Sequence, residues 1–125
     1  MIKKVLMLLL FSSALLTACS ESELINFVGE SENWQVNYEV NVQGEDSEST
    51  NLTIKYKGKN PVPEEINYVV EGVSGGSEGE AALNNRVLEI GGHSCSGCAV
   101  TTENENFNAT IMWNDTSETI ILKNH

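Results

Sequence analysis

Residues 34–43 read Trp-Gln-Val-Asn-Tyr-Glu-Val-Asn-Val-Gln. Trp34, Val36, Tyr38, Val40 and Val42 fall on one parity, and Gln35, Asn37, Glu39, Asn41 and Gln43 on the other. Successive side chains of an extended strand point to opposite faces, so this stretch has one apolar face and one wet face. A helix would scatter the same five apolar residues around its circumference. The period of two sets the class as all-β.

Downstream, the same period recurs between breakers. Gly44 to Ser49 reads as a polar, acidic loop; Glu45, Asp46 and Glu48 lack the Asp-x-Asp-x-Asp-Gly spacing of a calcium loop and read as a solvated turn. Leu52, Ile54 and Tyr56 alternate with Thr53, Lys55 and Lys57, until Gly58 to Pro63 stops the strand, because proline cannot donate to a ladder. Ile66, Tyr68 and Val70 mark the next strand, and Gly72 to Gly79 reads as a loop. A hairpin is expected around Glu80–Leu83 and Val87–Ile90, turning on Asn84-Asn85 and ended by Gly91-Gly92, since asparagine tolerates positive φ. Phe107, Ala109, Ile111 and Trp113 form another strand, Asn114-Asp115 a turn, and Thr119 to Lys123 the last strand. About seven short strands without a helical period predict an antiparallel, immunoglobulin-like β-sandwich. A small β-barrel is the alternative. Trp34 and Trp113 sit on apolar parities and are expected in the core.

Upstream, Ser20 to Asn33 is rich in Ser and Glu, yet contains Leu24, Ile25, Phe27 and Val28. It reads as a tether with the makings of a short first strand or a docked turn. The start of the chain has the order of an export signal: Lys3 and Lys4, the apolar run Val5 to Phe11, then Ser12, Ser13 and Ala14. The run is too short for a spanning helix, which needs about 20 apolar residues. Leu16-Thr17-Ala18-Cys19 resembles a bacterial lipobox. That resemblance implies cleavage before Cys19 and a diacylglycerol on its sulfur. Buried acyl CH₂ groups contribute about 0.8 kcal/mol each, enough for two or three chains to anchor the protein stably. The expected organisation is residues 1–18 as leader, 19–32 as lipidated cysteine and tether, and 33–125 as the β-domain.

Lys and Arg number 7 against 18 Asp and Glu, a formal charge of −11. Loss of Lys3 and Lys4 with the leader deepens the imbalance. Phosphate attraction needs Lys and Arg, so nucleic acid is excluded as a partner. The acidic residues are scattered, which suits solubility and mutual repulsion. Three Asn-x-Ser/Thr matches, at Asn51, Asn108 and Asn114, are read as chance behind a bacterial lipobox.

Chemistry concentrates in Gly91-Gly92-His93-Ser94-Cys95-Ser96-Gly97-Cys98. Of 3 cysteines, Cys19 is committed to lipid. Outside the cytoplasm thiols oxidise, and two intervening residues allow Cys95 and Cys98 to pair. Three readings stand. A structural disulfide pins the loop into the following strand. A redox pair uses His93 to stabilise a thiolate, though no βαβ pattern surrounds it. A metal site uses His93, Cys95 and Cys98, with His125 as the remaining histidine. No Gly-x-Ser-x-Gly, His-Glu-x-x-His or phosphate-binding loop is present, so the expectation is a non-enzymatic protein without a cofactor.

Gly29-Glu30-Ser31-Glu32-Asn33-Trp34, Leu52-Thr53-Ile54-Lys55-Tyr56-Lys57-Gly58 and Cys95-Ser96-Gly97-Cys98, together with the lipobox, resemble small uncharacterised lipoproteins of Gram-positive, Bacillus-type bacteria. The resemblance implies attachment through Cys19 to the outer leaflet of the cytoplasmic membrane, facing the cell wall. It implies no activity or substrate, and leaves the protein or cell-wall partner open.

Overall fold

The computed structural model describes residues 22–125. The expected leader and Cys19 lie outside the described residues. Eight strands follow one another: β1 (Ser22–Glu30), β2 (Trp34–Gln43), β3 (Ser47–Tyr56), β4 (Glu65–Glu71), β5 (Gly76–Ala82), β6 (Val87–Ser96), β7 (Phe107–Trp113) and β8 (Thr116–Asn124). They pair antiparallel in one sheet of order β5-β4-β7-β8-β1-β2-β3-β6. Residues 22–125 are all-β, as the alternation requires. The sheet curls nearly into a small barrel, and its two facing halves are what a sandwich reading sees.

β2 is the strand its sequence promised: Trp34, Val36, Tyr38, Val40 and Val42 are all buried. It pairs along its whole length with β3 and from Gln35 to Gln43 with β1. β1 is the stretch read as a tether. Its apolar Ile25 and Phe27 are buried, and it joins the two halves of the sheet by pairing with β8 at Phe27↔Asn124 and Val28↔Lys123. A Cβ on Gly29 would run into the Ile121 carbonyl and the Ile120 side chain, so glycine there lets β1 cross close to β8.

Aromatic edges lock the halves together. Phe107 of β7 meets Phe27 of β1 and Tyr38 of β2 at centroid distances of 4.8 and 4.9 Å. Trp34 packs edge-on to Tyr56 at 5.0 Å and to Trp113 at 5.2 Å. Such pairs contribute about 0.5–1.5 kcal/mol beyond their burial.

Three local expectations are corrected. The hairpin expected between Glu80–Leu83 and Val87–Ile90 does not form: β5 pairs with β4, β6 pairs with β3, and the two are opposite edges of the sheet. The turn residues do their local work, with Asn85 and Arg86 at φ 50° and 74°, but the turn carries the chain across the gap between edges. Gly91-Gly92 does not end its strand. The register shifts there, Gly92 adopts φ 81°, and β6 runs on to Ser96. Finally, β3 begins at Ser47, so the Gly44–Ser49 loop is shorter than expected. The Asn114-Asp115 turn forms as expected, with φ 44° and 61° between paired Trp113 and Thr116.

Candidate functional site

One rim of the barrel carries the β2–β3 turn, the β4–β5 turn and the long β6–β7 connection, residues 97–106. None of these segments contains Lys or Arg. A cavity of about 280 Å³ opens there, between the ends of the edge strands β5 and β6. Tyr38, Glu48, Thr50, Ser74, His93, Cys95, Cys98 and Thr101 are among its lining residues.

Cys95 and Cys98 form a disulfide. Gly97, at φ 72°, turns the chain back between them. The Cys98 N–H donates to the Asp46 carbonyl at 2.9 Å, which ties the disulfide loop to the β2–β3 turn. His93 and Cys95 are exposed and stand two positions apart on β6; Cys98 is half-buried. The structure thus brings His93, Cys95 and Cys98 to one cavity, while His125 does not line it and its backbone N–H is bonded to the Asn26 carbonyl.

Glu48 is the residue that the sequence reading missed. The reading of Glu45, Asp46 and Glu48 as a solvated turn describes the first two but not Glu48, only 7% exposed. The cause is register. Glu48 continues the inward parity of Leu52, Ile54 and Tyr56 and lies across from Val42 on one side and Cys95 on the other. That parity was the signal that could have revealed it.

A short polar chain holds this carboxylate. The Thr101 N–H and hydroxyl donate to Glu48 at 3.3 and 3.2 Å. The Ser74 N–H and hydroxyl donate to Glu105 at 2.7 and 2.8 Å, and the two hydroxyl oxygens lie 2.8 Å apart. Each hydroxyl has one proton to give. Two protons therefore serve three contacts, and the bonds to Glu48 are the longest of the set. Among the described residues no cation pairs with it. Burial pushes the Tyr38 phenol up; its hydrogen bond with Thr50 works against that, and the charges of Glu48 and Glu105 push it further. The phenol stays neutral at physiological pH and remains a donor.

The arrangement favours ligands that bring donors or positive charge. It disfavours anions, because the Glu48 carboxylate lines it and no Lys or Arg does. The Glu48, Cys95 and Cys98 ligand atoms all lie within 4.8 Å of one another. No protein-family model matches the chain. The comparisons with curated proteins and with solved structures gave no match either.

Proposed function

We propose that this protein is an extracytoplasmic lipoprotein, anchored through Cys19 to the outer face of the membrane, whose barrel serves as a non-enzymatic binding or structural module of the envelope. The observation that supports a binding role is the rim cavity, a site flanked by the disulfide loop and carrying a buried carboxylate that is held by two long bonds from Thr101 and has no cationic partner among the described residues. Barrel mouths are common ligand sites. Its chemistry suits a small cationic or donor-rich group. The described strands are compatible with anchoring: β1 starts at Ser22, paired with Gln43 beside the β2–β3 turn, so a chain anchored at Cys19 would enter the barrel at the cavity rim. In that reading the cavity would face the membrane.

Cell fractionation with intact mass analysis tests the anchor. The parent protein is expected in the membrane fraction with a diacylglyceryl mass on Cys19, and Cys19→Ser in the soluble fraction. An unmodified Cys19 in exported protein would refute the reading.

A second reading is favoured by one observation: the exposed Cys95 sulfur shares a cavity wall with His93 and the buried Glu48. Exposed disulfides are the ones that exchange. The protein then acts as a thiol-redox accessory. Equilibration in graded thiol buffers decides it. A potential of about −120 to −270 mV marks an exchange pair, and one below about −300 mV marks a structural bridge.

A further inference from the structure

We infer that opening the Cys95–Cys98 disulfide creates a divalent-metal site of the zinc class, with Cys95, Cys98 and Glu48 as its protein ligands. Glu48 and Cys95 are direct cross-strand partners on β3 and β6, so their side chains leave the sheet on the same inward face. Gly97 and the Cys98–Asp46 backbone bond fold Cys98 over that pair. The three donor atoms lie within 4.8 Å of one another. Tetrahedral zinc, with bonds of about 2.0–2.3 Å, needs donors about 3.3–3.8 Å apart, so small side-chain movements complete the set. The fourth position falls to water from the open cavity.

Glu48 supplies the second, independent pointer. It is buried, accepts two long hydrogen bonds, both from Thr101, and is without a cationic partner among the described residues. Buried charges are ordinarily paired or metal-bound. With the disulfide closed the sulfurs are neutral and cannot act as thiolate ligands. A dithiol reductant delivers two electrons and two protons: the S–S bond breaks, two thiols form, and the reductant becomes a disulfide. Zinc then displaces the two thiol protons and offsets the two thiolates and the Glu48 carboxylate. Because metal binds only the open form, it favours reduction by the factor 1 + [Zn]/Kd.

The inference rests on the second reading only in needing a disulfide that opens. The test uses the full chain carrying Cys19→Ser, so that no other thiol competes. A phosphine reduces the pair, taking its oxygen from water, and cadmium is then titrated without air. The reduced protein is expected to take one equivalent with a thiolate-to-cadmium charge-transfer band, displaced by zinc; the oxidised protein shows none. Glu48→Gln is expected to keep the fold and the band while weakening affinity at least tenfold. Absence of the band in reduced, folded protein overturns the inference, as does Glu48→Gln binding as tightly as the parent, or a disulfide that phosphine cannot open without unfolding the barrel. Opening in thiol buffer without a cadmium band defeats the metal site alone. A band after phosphine with a potential below the exchange range supports the metal site and defeats the redox reading.

Discussion

The two rims of the barrel each hold a carboxylate from the inner side of a turn, and they treat it in opposite ways. At the tryptophan rim, Glu118 of β8 accepts from the Ser31 hydroxyl at 2.5 Å, the Asn33 side-chain amide at 2.6 Å and the Asn33 N–H at 3.1 Å. Partial burial alone would raise its pKa, but the bonds from Ser31 and Asn33, with Lys57 nearby, outweigh that and hold the carboxyl below its ordinary value. Arg86 completes that rim: its guanidinium donates to the Gly58 carbonyl at 2.7 Å and lies over the Tyr56 ring. At the cavity rim, Glu48 is more deeply buried yet, among the described residues, has only the two long bonds from Thr101. The same residue type accepts three bonds, two of them short, at one end and two long bonds at the other. Hydrogen-bond supply, more than burial, is what separates the two carboxylates.

The comparison breaks first at Trp34. Trp34→Ala empties the contact with Tyr56 and Trp113 and is expected to cost about 3–5 kcal/mol in denaturant unfolding. Trp34→Phe should cost clearly less, because the indole N–H has no partner among the described residues and no hydrogen bond is lost. An equal loss in both would show that ring size, not apolar burial, holds that rim.

The disulfide comes next. Cys95→Ser with Cys98→Ser is expected to lower stability by about 1–3 kcal/mol, a modest effect because the closed loop is short. The melting temperature should fall while export continues. An unchanged temperature would remove the bridge from the stability account and leave its chemistry as the reason for it.

The two glutamates sharpen the contrast directly. Glu118→Gln weakens charge-assisted bonds and should cost about 1 kcal/mol at neutral pH. Its pH dependence has a definite sign. A carboxyl held low in the folded state stabilises fully above its unfolded value of about 4.3, and that contribution is lost as pH falls through the lower folded value. The parent therefore approaches Glu118→Gln in acid. Glu48→Gln keeps an acceptor for Thr101 and removes an under-served charge, so its stability should match or exceed the parent's in the same denaturation series. A cost as large as that of Glu118→Gln would erase the distinction.

The smallest effect lies on the β4–β5 edge. Hydrogen bonding to Glu80, and then its charge, raise the Glu65 pKa. A raised carboxyl loses stability as pH climbs through its folded value. Glu80→Gln should therefore give a slight gain at neutral pH that vanishes below the unfolded value of Glu65, read as a small difference in melting temperature across a pH series.

Much of this was legible in the chain. Strict alternation from Trp34 to Val42, and again at Leu52 to Tyr56 and Phe107 to Trp113, found three of the buried strands and their inward faces. The Asn114-Asp115 turn was readable because its residues tolerate positive φ. The cysteine pair and its neighbour His93 were readable from spacing. Partner choice was not. β5, with Gly76, Gly79 and glutamates exposed along it, has no apolar face to announce it, and nothing local to Asn84-Asn85 says whether the flanking strands pair or part.

The sequence by itself determined the all-β class, the core residues of each well-patterned strand and the proximity of Cys95 to Cys98, because side-chain alternation and short loops are local properties. The tertiary structure alone decided that one sheet curls on itself, that β5 and β6 become its open edges, and that Glu48 comes to face Cys95. These depend on register between strands far apart in the chain, where a one-residue slip would turn every side chain to the other face. The cavity exists because the two edges remain unpaired at that rim, a property of the closed arrangement that no single strand carries.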